Sequence, residues 1–483
     1  MQNAVRLAAA IALGALAPLG AQSVAARPVS STTPPADSLL PHQRLAREVY
    51  EELVEINTAD SVGSPGQAAE AMAKRFRAAG FAAQDVFVGG PRPDKRNVVV
   101  RLRGRDRGRK ALVLLAHLDV VPALRSDWTV DPFTFLERDG YYYGRGTTDD
   151  KAMAAIFVAN LIRLKREGFV PSRDVVVALT ADEEGGPHNG VDWLLDNRPD
   201  LLDAAFVINE GGGGALRDGK PFLHSVQATE KVYNDFTVTA TNRGGHSSVP
   251  RPDNAIYQLA EGLTRLAKYQ FPVQLNEVTK AFLERTAQIE TPERAAAMRA
   301  LAADPADAAA AAVVSADPRY NSMLRTTCVA TMLRGGHAPN ALPQTAVANV
   351  NCRMVPNVDP ATVREGIVRA LADTGLVVSA APAMTPTAPS PLLPEVLGAV
   401  ERLTREMWGP NVPVIPTMST GATDSKYFRA KGVPAYGVSG LFSDPSDSRA
   451  HGRDERILIK SFYEGQEFLY RLTRQLASAA PVP

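Results

Sequence analysis

The sequence predicts an α/β protein: a mostly parallel sheet flanked by helices, with a smaller α+β unit inserted into it. Three observations carry this reading. Apolar runs of strand length stand at Asn97–Leu102, 111–121, 174–180 and Ala204–Asn209, and a helical apolar period at 151–165 lies among them. From Tyr233 the pattern becomes strand 235–241, helix 254–268, strands 326–333 and 346–354, helix 360–373 and strand Leu376–Ala380, the order βαββαβ. After a Pro-rich passage at 381–394, the helical pattern at 395–408 and the apolar run at 433–438 resume the first grammar, which marks the middle unit as an insertion.

In chain order, Arg6, an apolar stretch at 7–19 and the small residues Val24, Ala25 and Ala26 read as an export signal over 1–26. The apolar stretch falls short of the roughly 20 residues needed to span a bilayer, so no membrane span is expected after cleavage. Residues 27–41, rich in Pro, Ser and Thr, read as a flexible leader. With 483 residues the chain exceeds what one core usually organises. We divide it into a main domain over 42–232 and 389–478 and an inserted domain over 233–388. An Ala-rich stretch at 291–316 reads as an extra helix, with Thr291 as N-cap and Pro292 at the first helical position.

Composition narrows the function. Hydrophobic residues make up 45% and charged residues 22%, which excludes a disordered chain, and 53 basic against 52 acidic side chains give no global electrostatic reason to bind nucleic acid. Cys328 and Cys352 lie at equal offsets from Asn340. A hairpin between their strands would set them opposite each other, so they are either a disulfide or two buried free thiols.

The chemistry-bearing residues sit where apolar runs end. His117 and Asp119 close the run at 111–121; two residues apart, they share a face, and a carboxylate there can accept the hydrogen bond of an imidazole that gives its other nitrogen to a metal. YGRGTTDDK at 143–151 puts two acids at a helix start, where capping accounts for one acid better than for two. VVVALTADEEGG at 175–186 runs from a buried strand into three acids, FVINEGGGG at 206–214 adds Glu210 before a glycine run, and AHGRDE at 450–455 adds His451 and Glu455. Were these ends to converge, Asp119, Asp149, Glu183, Glu184 and Glu210 would crowd together. Two like charges about 4 Å apart repel by roughly 4 kcal/mol near a protein surface, so either pKa values rise or dications bind. Imidazole and carboxylate donors without thiolates suit divalent ions, zinc first, with cobalt or manganese as alternatives.

In these motifs, taken in order from Asn97 to Glu455, the chain resembles the M20 family of metallopeptidases. The resemblance implies that His117 and Glu210 hold one metal, Glu184 and His451 the other, and Asp149 bridges both, with Asp119 orienting His117. It makes Glu183 the general base towards a metal-activated water. GGHSS at 244–248 and HAPNALP at 337–343 match motifs of the family's lid or dimerisation domain. They offer His246 and Asn340 for the substrate oxyanion or carboxylate, the histidine often reaching across from a partner subunit in similar enzymes, which implies a homodimer. Gly421, in the loop GATD, matches a second glycine-rich loop near the substrate. Arg353 either pairs with the substrate carboxylate or is an ordinary surface arginine. His42, His188, His224 and His337 fall outside the matched positions and read as structural or solvated, and Trp128, Trp193 and Trp408 read as packing residues.

The expectation is therefore an exported, periplasmic or secreted, di-zinc peptidase that cuts the amide bond next to a C-terminal amino acid in short peptides. The alternatives are an aminoacylase-type hydrolase of N-acyl amino acids, whose acyl pocket the stretch 291–316 would help to shape, and a catalytically inactive peptide-binding protein.

Overall fold

The computed structural model describes residues 38–60, 62–381 and 386–478. The predicted signal and residues 27–37 of the leader lie outside them. Among the described residues no helix is long and apolar enough to cross a membrane.

A ten-stranded sheet organises the main part. Its order is Val86–Gly89, Asn97–Leu102, Val175–Thr180, Ala111–His117, Ala204–Asn209, Ala435–Gly437, Lys220–Glu230, Gly213–Arg217 and Phe442–Ser443, with Val414–Ser419 also paired to Lys220–Glu230. The four strands from Val175–Thr180 to Ala435–Gly437 are mutually parallel. The first run departs from the expected grammar, because Asn97–Leu102 pairs antiparallel with Val175–Thr180. Apolar runs buried on both faces look alike in either direction, so the sequence carries no sign of it.

Alternation along the strands explains the two layers. Leu112, Leu114, Val175 and Val177 face one core with the helices Pro41–Glu55, Lys151–Arg166 and Ile459–Ser478, while Val113, Leu115, Val176 and Ala178 face another with Val191, Leu194 and Phe428. Burying a side chain such as Val177 contributes about 1.5–3 kcal/mol.

The chain passes from Lys220–Glu230 through Lys231 into Val232–Thr241, which belongs to a second sheet. That sheet is antiparallel throughout, in the order Thr327–Gly335, Thr345–Met354, Val232–Thr241, Leu376–Ala380, and the helices Ala255–Lys268 and Pro360–Leu371 cover it over a core of its own around Phe236, Val238, Leu259, Val350 and Ile367. Asn254 caps the first of these helices through the Ile256 and Tyr257 amides. Cys328 stands directly opposite Cys352, and the two form a disulfide.

The Ala-rich stretch is not one helix. It forms Pro292–Ala303 and Ala308–Ser315, broken where Pro305 cannot continue the first; Asp307 caps the second, whereas Thr291 makes no side-chain cap. Together with Glu277–Thr286 and Pro318–Leu324 these helices pack around Leu283, Met298 and Leu301 and onto Ile415 of the large sheet. Arg285 adds hydrogen bonds to Glu401 (2.6 Å) and the Val414 carbonyl (2.8 Å).

Candidate metal centre

Three neighbouring parallel strands deliver their carboxyl ends to one place: His117 ends the first, Glu183 and Glu184 follow Thr180, and Glu210 follows Asn209. Asp149 arrives from the turn before Lys151–Arg166, and His451 from the loop before Arg456–Leu458.

Asp149 joins the two imidazoles. Its Oδ1 lies 2.9 Å from His117 Nε2 and its Oδ2 3.1 Å from His451 Nε2. His117 Nε2 is also 3.7 Å from Glu210 Oε2, and His451 Nε2 is 2.9 Å from Glu184 Oε1. Ligand atoms of His117, Asp149 and Glu184 fall within 4.8 Å of one another, as do those of His117, Glu183 and Glu210. All six metal-ligand and base candidates therefore meet, and Glu183 comes nearer to ligand distance than the sequence suggested.

Asp119 acts differently from the expected carboxylate partner of His117. The His117 Nδ1 sits 3.0 Å from the Asp119 carbonyl oxygen and 3.7 Å from its carboxylate. The carboxylate instead accepts the backbone N–H groups of Glu183 (3.2 Å) and Glu184 (2.9 Å), fixing the turn that carries them. An Nδ1–H donated to the carbonyl leaves Nε2 as the ring nitrogen that faces Asp149 and Glu210.

The electrostatics are those of a site short of positive charge. Burial, then Glu210, pushes the Glu183 carboxyl up to about 10; burial, then Asp149, pushes Glu184 to about 7. Burial also raises Glu210, and Asp150 well above its ordinary range. His451 is raised to about 9, chiefly by its hydrogen bond to Asp149. Burial opposes the same change at His117, yet Glu210 and Asp149 hold it well above its ordinary value. Glu184 Oε1 is buried, with His451 Nε2 2.9 Å away. Crowded acids and two imidazole nitrogens turned inward fit divalent cations as the missing partners.

Several groups that the sequence singled out have roles it did not reveal. Buried Glu455 accepts from Arg145 Nη1 (2.7 Å), Thr148 Oγ1 (2.7 Å) and the backbone N–H groups of Gly146, Thr148 and Asp149, holding the turn that presents Asp149. Gly146 is required there, at φ 85°, where a Cβ would stand 2.8 Å from Val120. Asp182, first of the acid run, pairs with buried Lys95 at 2.5 Å. In the GATD loop the inward contacts come from Thr423, which donates to Glu230, and Asp424, which accepts from Asn189 at 2.6 Å and is pushed by burial to about 7; Gly421 itself is exposed, its N–H on Ser419. Their partners lie from 87 to 310 residues away, so only the fold could reveal them.

Among the described residues the remaining candidates stand apart from the acid cluster. His246 and Asn340 are exposed on a two-stranded ribbon, Gly245–His246 with Ala341–Leu342; the His246 ring bonds to Ser248 (2.7 Å) and the Asn340 carbonyl accepts from Ser247. Arg353, in the smaller sheet, lies over the Tyr233 ring, 4.9 Å from its centroid.

The family model for peptidase family M20/M25/M40 matches residues 113–475. The chain belongs to that family. It is an M20 hydrolase of peptide or amide bonds, and the inactive binding-protein reading gives way. The M20 relatives include the probable carboxypeptidase S-like 2 of Dictyostelium discoideum, 29% identical over 78% of this chain and 74% of that protein. The human N-fatty-acyl-amino acid synthase/hydrolase PM20D1 is 28% identical over 77% of this chain and 75% of its own length. Among solved structures, the M20 family metallo-carboxypeptidase Sso-CP2 of Sulfolobus solfataricus shares the fold with a TM-score of 0.67 at 20% identity, covering 89% of this chain and 99% of that one.

Proposed function

We propose that this M20 hydrolase is exported, holds two divalent cations, zinc first among them, and cleaves the amide bond next to a C-terminal amino acid in short peptides. The observation that carries the reading is Asp149, whose two carboxylate oxygens each face a different imidazole, with Glu183 beside them. His117 and Glu210 would hold one cation, Glu184 and His451 the other, with Asp149 between. Bound cations would supply Lewis acidity towards the scissile carbonyl and the positive charge that lets the crowded carboxyls ionise together.

Glu183 then serves as general base, taking a proton from the attacking water and returning it to the departing amine. Asp119 positions Glu183 and Glu184 through their backbone amides. Arg353 offers a fork for the substrate carboxylate. The test follows amino-acid release from matched dipeptides and N-acyl amino acids, with bound metal measured by elemental analysis. Glu183→Gln is expected to keep its metal and lose at least ~10²-fold in rate; unchanged turnover rejects Glu183 as the base.

A second reading, release of the acyl group from an N-acyl amino acid, has its own support. A cavity of about 260 Å³ borders Asp149 and Glu210; part of its wall is apolar, from Met153, Leu441, Phe442 and Ile457, and would take an acyl chain, while Asp150, Asp444, Asp447 and Arg456 line the rest. The matched N-acyl and dipeptide series decides between the two.

Homodimerisation and export belong to the same proposal. Thr327–Gly335 is an edge strand that exposes Val329, Met332 and Leu333, and the ribbon bearing His246 and Asn340 stands free to reach a second copy. Sedimentation is expected to give twice the chain mass. The apolar N-terminal stretch and the disulfide favour an oxidising compartment, and fractionation with N-terminal sequencing is expected to find the chain there, starting near Arg27.

A further inference from the structure

Four arginines are buried among the described residues, and three of them meet a carboxylate: Arg145 pairs with Glu455 at 2.7 Å, Arg173 with Glu395 at 2.9 Å, and Arg429 with Glu230. Arg325 does not. It is 7% exposed, yet its guanidinium has only neutral partners: Nη1 donates to Gln270 Oε1 (3.0 Å) and the Phe271 carbonyl (3.1 Å), Nη2 to Ser315 Oγ (3.0 Å), and Nε to nothing. A guanidinium stays charged at any physiological pH, and a buried charge without a counter-charge is costly.

The same arginine lines a cleft of about 710 Å³ between the segment at 270–273 and the helix Ala308–Ser315. The walls are apolar or small, with Pro272, Val273, Ala311 and Ala312 among them. Gln270 and Ser315 also line it, and both spend an acceptor atom on Arg325. The Gln270 amide N–H group and the Ser315 hydroxyl proton therefore remain as donors beside the cation. The acid at the rim, Asp307, is engaged in capping the helix through the Ala310 amide at 2.9 Å.

We propose that this cleft is a binding site for a carboxylate carried on an aliphatic chain, the carboxylate meeting Arg325, Gln270 and Ser315 and the chain lying along the apolar walls. None of the residues lining it belongs to the metal centre, so the site goes beyond the hydrolase reading and stands or falls separately from it.

Calorimetric titration of the full chain with decanoate tests this, with decanol and acetate as probes lacking the charge or the chain. Saturable decanoate binding is expected, with both other probes much weaker. Arg325→Met should weaken it at least ~10-fold, the loss of a charge-assisted hydrogen bond, and Ala312→Trp should block it by filling the cleft. His451→Ala, which alters the metal centre, should leave it unchanged. Should Arg325→Met fail to fold, Ala312→Trp alone carries the test. The proposal is overturned by absence of saturable binding, by equal binding of decanol, by indifference to the cleft variants, or by loss of binding in His451→Ala.

Discussion

In the smaller sheet a carboxylate is completed by its neighbours. Asp235 accepts from Tyr233 (2.6 Å), Asn351 (2.8 Å) and Asn349 (3.2 Å), and although slight burial opposes it, the Asn351 and Tyr233 donors hold its carboxyl below the ordinary range. At the carboxyl ends of the large sheet the acids face one another, and burial pushes Glu183 and Glu184 upwards. One region satisfies its charge with strand neighbours, the other only with something the chain does not itself provide. Buried carboxylates gathered on two imidazoles without enough positive charge are what a cation site requires.

The contrast is broken most directly by neutralising one acid in each region. Asp149→Asn is expected to cost roughly 10³-fold in turnover, several kcal/mol of transition-state stabilisation, and to reduce bound metal. Asp235→Asn should leave turnover within about twofold. Amino-acid release and elemental analysis read both; equal losses would erase the distinction between the regions.

Glu455→Gln probes how the incomplete site is held. Glu455 does not face the imidazoles but gathers Arg145 and the turn before Asp149, so its loss leaves a buried guanidinium without a counter-charge. We expect about 3–5 kcal/mol of lost stability and metal affinity weakened by roughly 10–100-fold, from chemical denaturation and metal titration. A variant with unchanged metal affinity would make Glu455 a purely structural anchor.

For the completed region, the bond between Cys328 and Cys352 closes a sequence separation of 24 residues. Replacing both with Ser should cost about 3 kcal/mol, chiefly through the unfolded chain. Turnover per folded molecule should not change. A fall in turnover matching that of Asp149→Asn would tie the smaller sheet to the chemistry.

What the sequence revealed follows the same division. Strands such as Ala111–His117 and Val175–Thr180 were legible because an apolar run of that length has few other uses, and their terminal acids and histidines were legible because buried strands seldom end in charge without cause. The direction of Asn97–Leu102 was hidden, since burial on both faces removes the alternation that would betray an antiparallel edge. The roles of Glu455 and Asp424 were hidden for another reason: each stands in a motif the sequence singled out, but its meaning lies in donors far away in the chain. Asp119 was found beside His117, but the atom that meets the ring was not, because spacing reveals a shared face and not which atoms of the residue are engaged.

The smallest effect concerns a second buried histidine. His117 is drawn up by acids; His224, in the strand Lys220–Glu230, has no acid beside it, only Thr404 at 2.8 Å and the rings of Trp408, Phe442 and Phe468. Burial holds its pKa down to about 3. In the unfolded chain the group titrates near 6.5, so below that pH the unfolded state binds the extra proton. Its contribution to stability is whole above pH 6.5 and shrinks as the pH falls towards 3, by about 2 kcal/mol at pH 5. Urea unfolding at pH 7 and pH 5 should show wild type losing about 2 kcal/mol more across that interval than His224→Gln. Equal losses would mean that His224 takes up its proton in the folded state, and the two buried histidines would then differ less than their surroundings imply.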